Sequence, residues 1–452
     1  MPTFGFVADD LTGASDVLAQ AHRYGLEAAL VIGDAPLPVD VDVVGIAGPA
    51  RSLGGAAFDT AVSRDLARMA GVDLDVLLYK VCSTFDSSPA IGSIGRGIEL
   101  LHDQFTSHGA IPVAPAQPGF GRYTAFSNHY ATFAGDVCRL DRHPVMSQHP
   151  STPMHEADLR RVLTEQLNDD VTVGFLHLPA YESGTFFDQW NDLRRDPGLA
   201  AFVVDAVEEL HLDQIARALR NLGDLATPAL VVGAGGIMAA LARTLSGNPP
   251  RTPQPQQASG PVLAVSASAS SVTADQLGDA IDHGWADIPI PVSLLHDHNH
   301  DLLAALDEEV AAALGAGRHV VVHATRGSTD PRYAAAGPVD PAHLGTLMGA
   351  LAGRMAAAAL TRDIAVFGGD TSSHALIAMG ARELRVSDQF VTAGPICRTD
   401  DGAAVTGCRL LLKGGQVGPP DILRRFAGDI TRPGPTQDQP QPNSPHNEED
   451  TR

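Results

Sequence analysis

Cysteine is scarce in this sequence. The four cysteines, Cys82, Cys138, Cys397 and Cys408, are far apart and form no Cys-X-X-Cys pair. Closely spaced pairs are the usual sign of a zinc site, and dense cysteines are the usual sign of a disulfide framework. The sequence therefore predicts neither feature, and it fits a reducing cytoplasmic compartment.

Positive charge and long apolar runs are also lacking. The chain carries 31 basic and 53 acidic residues, for a formal net charge of -22. This excess of acids argues against nucleic acid or an anionic membrane surface as the main partner. No apolar run approaches the roughly 20 residues of a membrane-spanning helix, and the first residues lack the pattern of a signal peptide. We therefore predict neither a nucleic-acid nor a membrane partner.

What the sequence does contain is a series of short apolar runs that alternate with helical patterns. Many runs are continuously apolar, as in strands that are buried on both faces of a parallel sheet. Helical spacing lies between several of them, for example at residues 14–24 and 210–222. This alternation predicts an α/β protein with largely parallel sheets. The predicted strands are residues 4–8, 28–32, 41–47, 76–81, 111–114, 171–176, 202–205, 229–232, 262–265, 319–323, 364–367 and 410–412.

One segment interrupts this alternation. Residues 246–261, SGNPPRTPQPQQASGP, have a composition typical of a linker without regular structure. We predict two α/β domains, at residues 1–247 and 261–428, joined by a linker at 248–260, with the active site in the cleft between them. Residues 429–452 have five prolines and no aromatic residue, which predicts a disordered tail.

Two adjacent acids follow the first predicted strand. Asp9 and Asp10 precede Leu11 in the motif ADDLTGASD. Ligands of open α/β sheets bind beyond the carboxyl ends of the strands, so these acids are candidates for catalysis, for a metal or for a substrate hydroxyl. The alternative is a helix N-cap, which needs only one acid. A phosphohydrolase of the haloacid-dehalogenase type is excluded, because it requires a second acid where Leu11 stands. We favour a functional role.

A second polar segment, YKVCSTFDSSPAIGSIG, follows another predicted strand. Lys80 lies inside the apolar run, and a hydroxyl-rich loop with Ser83 and Asp86 comes after it. Hydroxyl groups, an acid and a lysine are suited to a small anionic polyol. The alternative is a serine-rich turn beside a lysine whose amine reaches the surface.

Three strand ends of the second domain are rich in glycine or hydroxyl groups. GGDTSSHALIAMG starts with Gly368, Gly369, Asp370 and Thr371, between a predicted strand and a predicted helix. Glycine lets the backbone approach a ligand, and a helix N-terminus offers free N–H groups to phosphate. The motif is not a Walker A sequence, because no Gly-Lys-Ser/Thr follows. Together with LLLKGGQVG and VSASASSVT, this motif favours a nucleotide-binding site. The alternative is that the three segments are only tight turns between strands and helices.

Two further segments have competing interpretations. VVGAGGIMAALA, at residues 231–242, has the glycines of a dinucleotide fingerprint, but it lies late in its domain and leaves no room for the rest of the unit. We therefore interpret it as a strand–helix turn. HDHNHD, at residues 296–301, is interpreted as a solvated loop and not as a metal site, because no partner ligands are evident.

The segment HPVMSQHPSTPMHEADL contains three histidines, His143, His149 and His155. They either line a cleft or lie in a loop, and the sequence does not separate the two interpretations. Thr152 followed by Pro153 predicts the start of a helix here.

Taken in order, these segments resemble one family, the four-carbon acid sugar kinases. The resemblance runs from about residue 4 to residue 420. It rests on ADDLTGASD, YKVCSTFDSS, HPVMSQHPSTPM, VSASASS, ATRGSTDPR, GGDTSSHAL and LLLKGGQVG. The STFDS form of the second motif is more similar to the 3-oxo-tetronate kinase branch. The family pattern Gly-Asn-Ile-Gly is Gly92-Ser93-Ile94-Gly95 here, a change that bears on substrate identity, and Ser-Gly-Ser is Ser266-Ala267-Ser268.

The resemblance implies an N-terminal domain that binds an acid sugar and a C-terminal domain that binds ATP. The reaction it implies is transfer of phosphate to the terminal hydroxyl of a tetronate. It places Asp9, Asp10, Arg51, Lys80, Ser83 and Asp86 on the substrate side. On the nucleotide side it places Ser268, Gly368, Gly369, Asp370, Thr371 and Gly415.

From this resemblance we expect Asp9 or Asp10 to orient the attacking hydroxyl and take its proton, and Arg51 or Lys80 to pair with the substrate carboxylate. Mg²⁺ is expected to bridge the phosphates of ATP, without a dedicated protein metal site. The oligomeric state is open, with a homodimer as one candidate. The alternatives are an NAD-dependent acid-sugar oxidoreductase and a non-catalytic sugar-acid sensor.

Overall fold

The structure is a computed structural model, which describes residues 3–106, 108–149, 151–168, 171–221, 228–368, 370–391, 394–400, 405–414 and 417–430. The strands are β1 (Phe4–Ala8), β2 (Ala28–Val31), β3 (Val43–Ala47), β4 (Val76–Lys80), β5 (Ile111–Ala114), β6 (Arg122–Ala125), β7 (Asn128–Phe133), β8 (Asp136–Arg139), β9 (Thr172–Leu176), β10 (Leu199–Val204), β11 (Ala229–Gly233), β12 (Val262–Ser266), β13 (Ala286–Pro289), β14 (Val320–His323), β15 (Asp363–Phe367), β16 (Glu383–Val391), β17 (Gly394–Thr399) and β18 (Arg409–Lys413).

The helices lie between the strands, as the alternating pattern predicts. They are α1 (Leu11–Arg23), α2 (Gly55–Met69), α3 (Ile94–Gln104), α4 (Leu159–Thr164), α5 (Pro179–Glu182), α6 (Phe186–Arg195), α7 (Glu209–Arg220), α8 (Gly235–Ser246), α9 (Ser271–Asp282), α10 (His300–Gly315), α11 (Pro331–Ala336), α12 (Pro341–Ala357), α13 (Asp370–Met379) and α14 (Ile422–Ala427).

Fifteen of these strands form one mixed sheet in the order β13-β14-β12-β15-β18-β17-β16-β2-β3-β1-β4-β11-β5-β10-β9. We call the parallel block from β2 to β9 the sugar half and the parallel block from β13 to β18 the nucleotide half, after the sequence resemblance. Most strands of both halves are buried along their whole length. The predicted α/β class with mostly parallel strands is therefore confirmed.

The two halves do not have separate sheets, which differs from the sequence-based expectation. The strands β17 and β16 join them through antiparallel pairs, β18 with β17, β17 with β16, and β16 with β2. The sequence pattern did not predict β16 and β17, because charged and polar residues interrupt their apolar positions. It also did not predict the small antiparallel sheet of β6, β7 and β8, for the same reason.

The strand order places one switch point in each half. The loop after β1 leads towards β2 on one side, and the loop after β4 leads towards β5 on the other side. In the nucleotide half, β12 and β15 are neighbours that diverge in the same way. Ligands of open α/β sheets bind in the crevice that such diverging loops leave at the carboxyl ends of the strands.

The predicted linker has no helix or strand between Gly247 and Pro261, as expected, but it is held along the protein surface. The backbone N–H of Arg251 donates to the carbonyl of Arg23, 2.7 Å away. The N–H and hydroxyl of Ser259 both donate to Asp363 Oδ2, at 2.8 and 2.7 Å. The segment therefore fastens the end of α1 to the nucleotide half.

The predicted helix start at Thr152 is wrong. The helix α4 begins at Leu159, where the side chain of Asp158 caps it by accepting from the N–H of Arg160. Thr152 instead donates its hydroxyl to Asp86, 3.2 Å away. Its hydroxyl group is thus engaged in a long-range contact and does not cap a helix.

The other two interpretations of ambiguous segments agree with the structure. Gly235 starts α8 directly after β11, so the GAGG segment is a strand–helix turn. In the HDHNHD segment the side chain of Asn299 caps α10, and the histidines before it are exposed.

Candidate active site

The two acids at the end of β1 have different environments. Asp10 is the N-cap of α1, because its Oδ1 accepts from the N–H of Gly13. Its other oxygen, Oδ2, accepts from Arg51 Nη1 at 3.2 Å. Both oxygens of Asp10 are therefore engaged, one by the backbone and one by a cation.

Asp9 is buried without such partners. Its Oδ1 has no hydrogen-bond partner among the described residues, although this atom is inaccessible to solvent. Burial, together with the negative charge of Asp10, raises the pKa of Asp9 from 3.8 to about 7. A carboxyl with such a pKa is suited to accepting a proton near neutral pH.

Arg51 joins the ends of β1 and β4. Its Nη2 donates to Asp86 Oδ2 at 2.7 Å, while its Nη1 reaches Asp10. Burial alone raises the pKa of Asp86, but the charge of Arg51 and the hydroxyl of Thr84 outweigh it and hold this pKa below its usual range. Asp86 therefore stays ionised and fixes the position of the guanidinium.

Lys80 is the last residue of β4 and is 2% exposed. Its Nζ donates to the carbonyl of Val81 at 2.7 Å and lies directly beneath the first turn of α1. A Cβ added to Gly13 would lie 2.9 Å from this Nζ, so the glycine of the ADDLTG motif makes room for the lysine. The charge of Lys80 opposes the burial that raises the pKa of both Asp9 and Asp16.

Ser83 contributes its backbone to this loop. Its carbonyl lies 2.8 Å from Nε2 of His129, and Nδ1 of the same ring lies 3.0 Å from the hydroxyl of Thr124. Burial lowers the pKa of His129 to about 4, so the ring is neutral. A neutral ring that donates from Nε2 and accepts at Nδ1 satisfies both contacts. His129 therefore supports the loop after β4 from behind.

The three histidines of the HPVMSQHPSTPM segment have separate positions. Nδ1 of His149 accepts from the backbone N–H of Thr152 at 3.2 Å, and the hydroxyl of Thr152 donates to Asp86, so His149 lies at the edge of the acid cluster. His143 accepts from backbone N–H groups of its own loop, and His155 is exposed. Only His149 is thus connected to the predicted site.

The switch point of the nucleotide half brings Ser268 and Gly368 together. Gly368 has φ = +135°, and a Cβ added to it would lie 2.6 Å from Thr371 Oγ1 and 3.9 Å from the backbone nitrogen of Ser268. Glycine is required here, because a side chain would be strained and would fill the space between the two loops. Gly369 and Gly415 lie outside the described residues, as does the side chain of Asp370.

Two helices begin at this crevice. The helix α9 starts just after Ser268, and its N-cap Ser270 makes no capping hydrogen bond with its side chain. The helix α13 starts at Asp370, immediately after the Gly368 loop. Helix N-termini with free N–H groups at a switch point are suited to binding phosphate.

Lys413, the last residue of β18, lies at the back of the same crevice. It is 2% exposed, and its Nζ donates to the carbonyl of Gly414 at 2.9 Å and lies 3.3 Å from Thr273 Oγ1. Nζ also lies 4.4 Å from the centre of the Phe367 ring. Burial lowers the pKa of Lys413 from 10.5 to about 7.

The two halves meet at these strand ends. A Cβ added to Gly414 would lie 2.7 Å from Cγ2 of Thr12, so the loop after β18 touches the first turn of α1. Strands of the two halves run in opposite directions within the sheet, and β16 and β17 lie between them. The helix α1 packs over β16, β17 and β18, and this packing brings its first turn to the carboxyl end of β18.

Sequence reasoning missed three residues of this region, namely Thr152, Asp16 and Lys413. The side chain of Asp16 accepts from Gln20 and Gln117 at 3.1 and 3.2 Å, and a Cβ on Gly235 would collide with it at 2.1 Å. A signal for Lys413 was available. Lysines and arginines together number 31, and only Lys80 and Lys413 are lysines.

Among the residues that the structure describes, no group of three or more His, Cys, Asp or Glu side chains is arranged to hold a metal ion. Within that part of the chain, no helix combines the length and the apolar character that crossing a membrane demands.

Comparisons with known proteins agree with this division of the chain. A family profile described as "Sugar-binding N-terminal domain" matches residues 4–241, and one described as "Nucleotide-binding C-terminal domain" matches residues 263–423. The chain is 31% identical to a 3-oxo-isoapionate kinase of Paraburkholderia graminis, over 91% of each protein. It is 32% identical to a 3-oxo-tetronate kinase of Cupriavidus necator, over 94% of this chain and 98% of that one.

A solved structure has the same fold. The crystal structure of a protein from Salmonella typhimurium LT2 matches with a TM-score of 0.76 and 22% identity, over 93% of this chain and 98% of that one. At this level of identity the likeness concerns the fold alone.

Proposed function

The chain belongs to the family of four-carbon acid sugar kinases, and we propose that it transfers the γ-phosphoryl group of ATP to the terminal hydroxyl of a tetronate. The candidate acceptors are 3-oxo-tetronate, threonate and erythronate. The observation that carries the proposal is the contact between Thr12 and Gly414, because it brings the acid-rich loops of the sugar half against the glycine-rich loops of the nucleotide half. A kinase needs this apposition, since the two reacting oxygens must be in line.

The nucleotide half supplies the groups that bind ATP. Ser268, Gly368 and Thr371 surround the crevice between β12 and β15, and the N-termini of α9 and α13 direct N–H groups towards it. Gly369, Asp370 and Gly415 remain part of the proposal from the sequence resemblance. Mg²⁺ enters as the complex with ATP, where it neutralises charge that develops on the phosphates.

Asp9 is the general base in this proposal, and Asp10 positions other groups. A base works best when its pKa is close to the working pH, and Asp9 has a pKa of about 7 and an oxygen without a partner. Asp10 uses one oxygen to cap α1 and the other to hold Arg51. Asp9 therefore takes the proton of the attacking hydroxyl, while Asp10 keeps the helix and the guanidinium in place.

Arg51 and Lys80 provide the positive charge that selects an acid over a neutral sugar. Arg51 retains a partly exposed side chain, at 22%, while its two Nη atoms are held by Asp10 and Asp86. A guanidinium fixed in this way is pre-organised to bind a substrate carboxylate. Lys80 lies deeper and balances the buried acids around it.

A coupled ADP-release assay with Mg-ATP and the stereoisomers of threonate, erythronate and 3-oxo-tetronate tests the proposal. We expect ADP release that depends on one of these acids and disappears in Asp9→Asn. Binding of ATP and acid without turnover would instead support a sensor. Binding of NAD in a thermal-shift measurement would support the oxidoreductase alternative, which the structure does not favour because the GAGG glycines are buried against Asp16 and Ala116.

A further inference from the structure

The chain uses lysine at only two positions, and both are the buried last residues of parallel strands. Lys80 ends β4 in the sugar half, and Lys413 ends β18 in the nucleotide half. Each amine donates to the carbonyl of the next residue in the chain. Everywhere else the chain uses arginine as its permanent cation. This usage points to a property of lysine that arginine lacks.

Lys413 has no acidic partner in the part of the chain that the structure describes. Its polar neighbours are the hydroxyl of Thr273 and the carbonyl of Gly414, and the face of Phe367 lies beside its amine. The charged or titratable groups on the elements around it are Asp363 on β15, Arg409 on β18, Cys397 and Arg398 on β17, Asp275, Asp279 and Asp282 on α9, Asp10 at the start of α1, Asp16, His22 and Arg23 on α1, and Asp370 and His374 on α13. The side chain of Asp370 lies outside the described residues.

None of these groups contributes to the lowered pKa of Lys413, whose cause is burial alone. Several of them are already paired. Asp363 forms a buried ion pair with Arg409 at the opposite end of the strands, and Asp279 pairs with Arg424. Among the described residues the amine is therefore a buried cation without a counterion, a state that favours loss of its proton.

The position of Lys413 is that of a phosphate ligand. It ends the strand next to β15, whose loop starts with Gly368, and its amine lies 3.3 Å from a hydroxyl in the first turn of α9. An anion in this crevice would supply the missing counterion. Arginine could not play the same part in the empty site, because its guanidinium does not lose its proton in proteins.

We propose that Lys413 is the counterion of the phosphate chain of the bound nucleotide, and that nucleotide binding draws a proton from the solvent onto its amine. This inference rests on the proposed function, since it assumes that the nucleotide half binds ATP or ADP. It assigns a role to a residue that lies within the LLLKGGQVG motif but to which neither the motif nor the comparisons assign a function. The proton moves from the buffer acid to Nζ, so binding and proton uptake are measured together.

Isothermal titration of Mg-ADP into the full chain at pH 8, in Tris and in HEPES, tests the proposal. The two buffers differ in their enthalpy of ionisation, so the difference in binding heat gives the number of protons taken up. From a pKa of about 7 in the free protein, we expect uptake close to one proton per nucleotide at pH 8 and much less at pH 6.

Two variants of Lys413 and one of Lys80 complete the experiment. We expect Lys413→Met to bind Mg-ADP at least tenfold more weakly and to take up no proton. Lys413→Arg should bind Mg-ADP with an affinity within about tenfold of the wild type and should also take up no proton. This variant keeps the positive charge but cannot lose a proton, so it tests proton uptake even if the Met variant is unstable. Lys80→Met, which alters the other lysine of the chain, should keep the proton uptake of the wild type.

The outcomes that contradict the proposal are distinct. If the wild type binds Mg-ADP without proton uptake, or if Lys413→Arg still takes up a proton, Lys413 does not have this role and the kinase function stands. If the wild type binds neither ADP nor ATP, the proposed function fails and the inference fails with it.

Discussion

The sugar half and the nucleotide half have the same local architecture and opposite electrostatics. In both, a central strand has its neighbours in the same order, β2-β3-β1-β4 in one and β13-β14-β12-β15 in the other. In both, a buried lysine ends a strand and donates to the next carbonyl. Lys80 lies among Asp9 and Asp16, whereas Lys413 has burial as the only cause of its shifted pKa.

This difference shows that the fold determines where a ligand binds, whereas the side chains at that place determine which kind of ligand binds. Acids around Lys80 suit a substrate rich in hydroxyl groups, because carboxylates accept hydrogen bonds from hydroxyls. A cation that has no ionised acid beside it among the described residues suits a polyanion, because the anion supplies a counterion. Asp363, a buried acid of the nucleotide half, lies at the amino ends of its strands, away from the crevice.

Asp9→Asn should have the largest effect on the sugar half. Removing a general base typically costs about 10²- to 10⁴-fold in rate, so we expect kcat to fall by this factor while Mg-ADP affinity changes little. In the wild type, kcat/KM should fall as the pH drops through about 7, because protonated Asp9 accepts no proton. Steady-state kinetics from pH 5.5 to 8.5 check both expectations, and an Asp9→Asn enzyme with near-normal kcat would assign the base elsewhere.

The same variant should be more stable than the wild type at pH 8. The folded protein raises the pKa of Asp9 above 3.8, so the folded state binds more protons than the unfolded state between pH 4 and 7. Stability from this group is therefore lost as the pH rises through that window. Thermal denaturation at pH 8 should show a higher Tm for Asp9→Asn, and a lower Tm would contradict the unpartnered state of Asp9.

Asp363→Ala should have the largest effect on the stability of the nucleotide half. Asp363 accepts from Arg409 Nε at 2.5 Å and from the N–H and hydroxyl of Ser259, and the pair with Arg409 is buried. Breaking a buried ion pair by removing one partner costs about 3–5 kcal/mol. Chemical denaturation measures the loss, and KM for ATP of the folded enzyme should change little. A large rise in KM for ATP would show that the ion pair at the amino ends of the strands affects the crevice at their carboxyl ends.

Gly414→Ala tests the contact that joins the two halves. The added methyl group would lie 2.7 Å from Cγ2 of Thr12, so we expect the loops to move apart and kcat to fall by about tenfold. Thr12→Ser removes the methyl group that clashes and keeps the hydroxyl. The kcat of the double variant should recover to within a few-fold of the wild-type value. If the losses in kcat of the two single variants simply add, the two segments are not in contact during catalysis.

His149→Ala should have the smallest effect. The histidine holds Thr152 by accepting one hydrogen bond from its backbone N–H at 3.2 Å, and the hydroxyl of Thr152 in turn contacts Asp86. Loss of one such bond costs about 0.5–1.5 kcal/mol, or roughly 2- to 10-fold in KM for the acid sugar. KM for ATP is the internal control, since His149 lies in the sugar half. An equal change in both KM values would contradict a local role.

The sequence predicted the regular elements near the site with good accuracy. The first strand ends at Ala8 and the fifth at Ala114, as expected, because continuous apolar runs with polar ends are specific signals for buried parallel strands. The GAGG turn was also predicted correctly. The strands β16 and β17 were missed, because charged and polar residues interrupt their apolar positions.

The sequence by itself determined the class of the fold, the strand ends that carry Asp9, Asp10 and Gly368, and the linker, because each depends on local patterns of apolar, acidic or glycine residues. Only the tertiary structure decided which of the two acids, Asp9 or Asp10, has a carboxylate oxygen without a hydrogen-bond partner among the described residues. Arg51 reaches Asp10 and Asp86 over 41 and 35 residues of sequence, and this long-range contact leaves Asp9 alone and buried.

The tertiary structure also decided that the two halves meet. Their strands point in opposite directions, and the helix α1, which starts in the sugar half, packs over β16, β17 and β18, so that Thr12 in its first turn reaches Gly414. Such packing between distant segments is a property of the assembled fold and not of one segment. For the same reason, the burial that lowers the pKa of Lys413 becomes evident only in the folded chain.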